Sequence, residues 1–126
     1  MLVGIYCHGG AGVSVNVRIS NNYCADNGTA GILAYGLSRS SILGNNCYSN
    51  DAEGIKISND VDDCVITGNV CNGNSTYGIW LSSATADNNV VTGNRATGNT
   101  TSNFTDAGTN TFFETATDSD PLNDFT

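Results

Sequence analysis

Three aspartates crowd one short stretch, Asp60, Asp62 and Asp63, with Lys56 just upstream. Two carboxylates flanking a bond hydrolyse glycosides when they stand ~5–5.5 Å apart (retention) or ~6.5–9.5 Å apart (inversion). Several acidic oxygens beside an Arg or Lys base would instead suit calcium-assisted lyase chemistry. Asp60, Asp62 and Asp63 with Lys56 supply either set on paper and are the catalytic candidates. The competing reading is a solvated loop. The internal repeat set out below aligns Asp60 with Gly10, Leu37 and Ala84, so neighbouring coils offer no second acid. It places Asp63 over Arg39, where an opposite-charge pair between coils is the simpler role. Glu53, flanked by Ala30 and Tyr77, is similarly isolated.

A second group is aromatic. Tyr6, His8, Tyr35, Lys56 and Trp80 recur at matching places in the repeat and are expected to share one exposed face. Flat amphipathic rings with polar neighbours suit the apolar faces and hydroxyls of sugars, which makes these five the carbohydrate-binding candidates. The alternative is that single exposed aromatics are ordinary on β surfaces. Five cysteines without a CxxC and a lone His8 give no zinc pattern, so no metal or cofactor is expected. Asn-x-Ser/Thr sequons at Asn27, Asn74 and Asn99 fall on repeat positions that account for them, and a fourth lies at Asn103.

What positions these residues is legible in the repeat. Gly4-Ile5-Tyr6-Cys7, Gly31-Ile32-Leu33-Ala34, Gly54-Ile55-Lys56-Ile57 and Gly78-Ile79-Trp80-Leu81 are spaced by 27, 23 and 24 residues. Between them come Asn22-Tyr23-Cys24, Asn45-Asn46-Cys47, Asn69-Val70-Cys71 and Asn94-Arg95-Ala96, each followed by a further asparagine at Asn27, Asn50, Asn74 or Asn99. Ile19, Ile42, Ile66 and Val91 mark a third unit in register. Three short apolar strands per period, separated by Gly and Asn turns, make one coil of a parallel β-helix. Leucine-rich, calcium-binding nonapeptide and helical repeats each lack their required pattern here.

The fold expected is therefore all-β: a single-stranded right-handed parallel β-helix of about five coils over residues 1–110, with a C-terminal cap or tail over 111–126. A single coil cannot bury its apolar face, whereas stacked coils, about 4.8 Å apart, can. Asparagine occurs 18 times, more than all charged residues together, and suits both hydrogen-bonded ladders and left-handed turns. Cys24, Cys47 and Cys71 fall in one column with parallel Cβ vectors, so buried reduced thiols are expected rather than disulfides. Cys64 belongs to another column and is also read as inward. From each Asn turn to the next Gly-Ile strand the count is constant, while the segment after that strand varies in length. Variable loops on a rigid frame are where binding residues usually sit. Phe104, Phe112 and Phe113 suit a plug for the last coil, leaving Leu122 and Phe125 for contact with another subunit.

Composition narrows the partners. With 126 residues the chain makes one domain, and 12 acidic against 4 basic residues give a net charge of −8 and a pI near 4.1. That balance argues against nucleic acid and against an anionic membrane surface. No apolar run approaches the ~18 residues of a transmembrane helix. The start MLVGIYCHGG lacks a signal-peptide pattern and reads almost at once as a core strand, so the chain is expected to begin inside a longer protein.

The GI-x-L and GN-x-x-x-x-N elements over residues 4 to about 110 resemble the Asn-rich repeat branch of the pectin-lyase-like superfamily of right-handed β-helices. That superfamily includes pectate lyases, polygalacturonases, alginate epimerases, carbohydrate-binding repeat proteins and bacteriophage tailspikes. The chain matches neither the paired acids of polygalacturonases nor the calcium and arginine constellation of pectate lyases. The resemblance is strongest to a tailspike or surface-protein fragment, which implies an extracellular or virion-surface setting, a polysaccharide partner and a homotrimer. A polysaccharide lyase, hydrolase or epimerase is the first alternative, and a purely structural stalk the second. Fold alone does not choose among them.

Overall fold

The computed structural model describes residues 3–113 and 123–126. It is a parallel β-helix in which each coil lays one strand on each of three long sheets. The Gly-Ile sheet stacks Ile5–His8, Ile32–Tyr35, Ile55–Ile57, Tyr77–Leu81 and Ser102–Asp106. The middle sheet stacks Arg18–Ser20, Ser41–Leu43, Val65–Thr67, Val90–Thr92 and Phe112–Phe113. The third sheet holds Tyr23–Ala25, Asn46–Tyr48, Val70–Asn72 and Arg95–Thr97. Ser14–Val15 and Leu37–Ser38 form a small fourth sheet, extended by a bridge from Ser38 to Asp62. Pairing continues past residue 110 through Phe112–Phe113 on the middle sheet and a bridge from Arg95 to Asp124.

Register follows the repeat. Ile5, Ile32, Ile55, Ile79 and Phe104 form one inward column, and Cys7, Ala34, Ile57 and Leu81 the next. Ile19, Ile42, Ile66 and Val91 stack on the middle sheet, and Cys24, Cys47, Cys71 and Ala96 on the third. These residues, with Leu37, Val61 and Ala86, make one continuous core.

Corners are built from two residues with different tasks. The first takes a left-handed backbone: Asn21, Gly44, Gly68 and Gly93 at one corner, Asp26, Ser49, Gly73 and Gly98 at the next. Gly and Asn accept that conformation at least cost. The residue after it is an inward asparagine. Asn45 Oδ1 accepts the Asn22 backbone N–H and side-chain amide, while Asn45 Nδ2 donates to Asn69 Oδ1 and to the Ile19 carbonyl. The pattern repeats through Asn69 and Asn94 to Asn123, giving a ladder from Asn22 to Asn123. A second ladder runs from Asn27 through Asn50, Asn74 and Asn99 to Asn103. Each rung satisfies carbonyls that a bend would otherwise leave buried and unpaired. The sequons at Asn27, Asn74, Asn99 and Asn103 thus have their amides committed to the ladder or to its C-terminal end.

A third corner uses the same design with different residues. Asn16, Arg39, Asp63, Asn88 and Asn110 are left-handed, and Val17, Ser40, Cys64, Asn89 and Thr111 follow them. Ser40 Oγ donates to the Ser38 carbonyl at 2.8 Å, Cys64 Sγ to the Asp62 carbonyl at 3.2 Å and Asn89 Nδ2 to the Val61 carbonyl at 2.7 Å. Cys64 therefore occupies the place of a corner asparagine. All five cysteines are free. The Cys24 thiol is pushed well above its ordinary value by its hydrogen bond with Cys47 and by burial. For Cys47 the contact with Cys24 pulls down, but the contact with Cys71 and burial outweigh it. Burial raises Cys64 as well.

The C-terminal end corrects two expectations. Phe104 stacks on Phe125 with centroids 4.7 Å apart and meets Phe113 at 5.1 Å, so Phe125 belongs to the cap instead of reaching for another subunit. Phe112 pairs with Val90 on the outer surface and is 53% exposed, so it does not plug the coil. A strand alternates its faces, and only one of two consecutive residues can point inward. Leu122 lies outside the described residues.

Candidate functional site

The Gly-Ile motif is explained by a close approach. A Cβ on Gly54 would lie 2.7 Å from the Gly78 carbonyl oxygen and 2.8 Å from Asn74 Nδ2. Gly31 and Gly78 are crowded in the same way. The chain here grazes the asparagine ladder, leaving no room for a side chain. Gly78 and Ile79 are both buried, so the residues on either side of the pair, Tyr77 and Trp80, emerge on the same outer surface. The equivalent positions are Val3 and Tyr6, Ala30 and Leu33, Glu53 and Lys56, and Ser102 and Thr105.

Tyr6, Leu33, Lys56, Trp80 and Thr105 are in register along the outside of the Gly-Ile sheet. His8 and Tyr35 pair beside them. Tyr6, His8 and Tyr35 form one group: His8 stacks on Tyr35 at 4.7 Å and tilts against Tyr6 at 5.6 Å. His8 Nδ1 accepts the Gly10 N–H at 2.8 Å, and Tyr35 Oη accepts from Asn59 Nδ2 at 3.4 Å. Lys56 and Trp80 form the other group. Lys56 Nζ stands 4.5 Å over the Trp80 ring and 3.3 Å from Glu53 Oε1, while Trp80 stacks on Tyr77 at 4.5 Å. Tyr6 and Trp80 stand three coils apart, about 14 Å at ~4.8 Å per coil.

Next to these rings runs a groove of about 260 Å³ lined by Val3, Thr29, Ala30, Leu33, Ala52, Glu53 and Lys56. Glu53 is only 8% exposed and, with Ala30 and Tyr77 on the coils either side, its charged partner is Lys56 on its own coil. The Thr29 and Thr76 hydroxyls are buried without a hydrogen-bond partner among the described residues. Glu53 and Tyr77 are the residues that sequence reasoning left out of the site. The signal was present: Glu53 and Lys56, like Tyr77 and Trp80, flank a Gly-Ile pair, and only a strict strand alternation would send them to opposite faces.

The aspartates sit elsewhere on the coil. Ser38 bridges to Asp62, so Leu37 lies over the buried Val61 and not over Asp60. The extra residue of this coil falls between Ser58 and Val61, and the Asp60 N–H donates to Thr85 Oγ1. Asp62 does have an acid in the next coil, Asp87, contrary to the expectation of none. Asp62 Oδ1 accepts the Asp87 backbone N–H at 3.0 Å, and Asp87 Oδ1 accepts from Thr109 Oγ1 and Asn110 Nδ2. Both carboxylates cap turns. Asp63 occupies an exposed left-handed corner in register with Arg39, yet their side chains do not pair; among the described residues the ion pairs are Lys56–Glu53 and Arg95–Asp124. Two exposed charges on a corner gain little by closing, and water wins. Among the described residues no three His, Cys, Asp or Glu side chains are placed to hold a metal ion, and no helix is long and apolar enough to cross a membrane.

A family model described as a right handed beta helix region matches residues 2–117. No curated protein matches the chain. Among solved structures, a point mutant of the periplasmic alginate epimerase AlgG is similar, with 17% identity and a TM-score of 0.67 over 79% of this chain. The chain spans 27% of the length of that protein. At this identity the likeness is one of fold.

Proposed function

Because the chain belongs to the right-handed β-helix family, whose coils supply a rigid frame and leave chemistry to the outer surface, we propose that it is a polysaccharide-binding module whose site is the Gly-Ile face. One observation carries this reading: the Trp80–Tyr77 stack and the Lys56–Glu53 pair stand at the edge of an open groove, in line with a second aromatic group at Tyr6, His8 and Tyr35. Two ring groups about three coils apart offer stacking surfaces to separated sugars of one chain, and the flanking polar atoms offer hydrogen bonds.

The similar structure is periplasmic, which supports an extra-cytoplasmic setting for this chain too. A tailspike-like homotrimer is the finer form of the proposal, and size-exclusion with light scattering tests it: a monomeric mass removes the trimer. The catalytic reading has less support, because the carboxylate of Asp62 caps the backbone and Lys56 is paired with Glu53, away from Asp60 and Asp63.

Affinity electrophoresis in gels containing polysaccharides tests the binding site. Retardation of the wild type by at least one polysaccharide, lost in Trp80→Ala with an unchanged circular dichroism spectrum, is the expected result. Equal retardation of the two proteins would place binding elsewhere.

A further inference from the structure

We infer that the Gly-Ile face selects an uncharged polysaccharide, and that Glu53 sets this selectivity by cancelling Lys56. The inference rests on the polysaccharide-binding reading above and names the ligand class for the same face.

Recognition of carboxylated or sulfated glycans needs cations free to pair with them, preferably forked guanidinium groups. The chain has four basic residues, and three face elsewhere. Arg18 belongs to the middle sheet, Arg39 to an exposed corner, and Arg95 to the third sheet, where its Nε lies 3.6 Å from Asp124. Only Lys56 stands on the Gly-Ile face, and its ammonium is held between Glu53 Oε1 at 3.3 Å and the Trp80 ring at 4.5 Å. His8 Nδ1 already accepts the Gly10 N–H, so that nitrogen is not a donor free to pair with an anion. The whole chain carries a net charge of −8, which opposes the approach of a polyanion.

What remains suits a neutral sugar chain. The face offers the rings of Tyr6, Tyr35, Tyr77 and Trp80, and apart from the paired Glu53 and Lys56 the groove is lined by uncharged residues, Val3, Thr29, Ala30, Leu33 and Ala52. Glycan hydroxyls donate and accept, so they can pair with the Tyr hydroxyls and the Trp80 indole N–H with no charge to balance. With Glu53 neutralised, the Lys56 ammonium would be released to face a carboxylate.

The test is affinity electrophoresis at low salt against neutral polysaccharides (xyloglucan, galactomannan, mixed-linkage glucan) and uronans (polygalacturonate, alginate). It compares the wild type with Glu53→Gln and with Thr105→Lys. The second variant adds a cation on the outer column beside Trp80 and leaves the half-buried Lys56–Glu53 pair in place. Expected are retardation of the wild type by a neutral polysaccharide and not by uronans, insensitive to added salt, and uronan binding tightened on the order of tenfold in both variants and abolished by salt. A wild type that binds uronans as tightly as neutral glycans overturns the selectivity and leaves the polysaccharide reading standing. Wild-type binding to neither class overturns both. Neutral binding by the wild type with no uronan gain in either variant removes Glu53 from its assigned role.

Discussion

Asn69 shows how much one buried amide does in this molecule. Its Oδ1 accepts from the Asn45 N–H and Asn45 Nδ2, and its Nδ2 donates to the Ile42 carbonyl and Asn94 Oδ1. Truncation removes all four bonds: the Asn45 N–H and the Ile42 carbonyl lose these partners outright, each costing about 1–3 kcal/mol, while Asn45 Nδ2 and Asn94 Oδ1 keep one bond each. Asn69→Ala is therefore expected to lose about 3 kcal/mol or more in urea unfolding, against about 0.5 kcal/mol or less for the exposed Asn46→Ala beside it. Similar losses in the two variants would refute the ladder as a stabilising device. The thiols predict a pH effect. Cys24, Cys47 and Cys64 are all raised in the folded state, so the fold keeps protons that the unfolded chain releases above about pH 8.5. Stability is then whole below that pH and declines above it, by up to about 1.4 kcal/mol per pH unit per thiol. Urea midpoints at pH 7.5 and 9.5 should show the decline, and a C24A/C47A/C64A variant should flatten it.

At the scale of the element, the Gly-Ile strand depends on a side chain that is missing. Gly54→Ala would press a methyl group against a carbonyl and a ladder amide, and about 1–3 kcal/mol of destabilisation is expected from that crowding. Gly12 lies in the long first-coil loop with nothing near its Cβ position, so Gly12→Ala should leave the thermal midpoint unchanged. Equal shifts in melting temperature would reject the close-approach account. The same element shows why the site was only partly legible. Tyr6, Lys56 and Trp80 follow from counting outward positions on aligned strands. Glu53 and Tyr77 require knowing that Gly-Ile buries two consecutive residues, which a period of two does not provide. The loop after the strand varies in length, so counting forward from it misaligned Asp60 with Leu37, whereas a bridge between coils sets the true register.

For the whole molecule, stability is a sum over neighbouring coils, so the ends decide where opening begins. Phe104, Phe113 and Phe125 close the C-terminal end, and the bridge at Asp124 and the ladder rung at Asn123 tie the final segment down. Phe104→Ala removes the ring that both others touch. Hydrogen exchange should then lose protection in Ser102–Asp106 and around Asn123 while Ile32–Tyr35 keeps it. Uniform loss along the chain would mean that the coils unfold as one unit.

Sequence alone determined the coil, its period, its inward columns and the absence of disulfides along the cysteine column, because a repeat forces identical environments one coil apart. The asparagine ladders were legible for the same reason, up to Asn99. Only the tertiary structure decided that Asn103 and Asn123 complete them, that Cys64 serves as a corner residue, and that Glu53 neutralises Lys56 beside Trp80. Each of these depends on where a chain of uneven loop lengths returns to the axis. Distances across the coil set that return, and no count along the chain contains them.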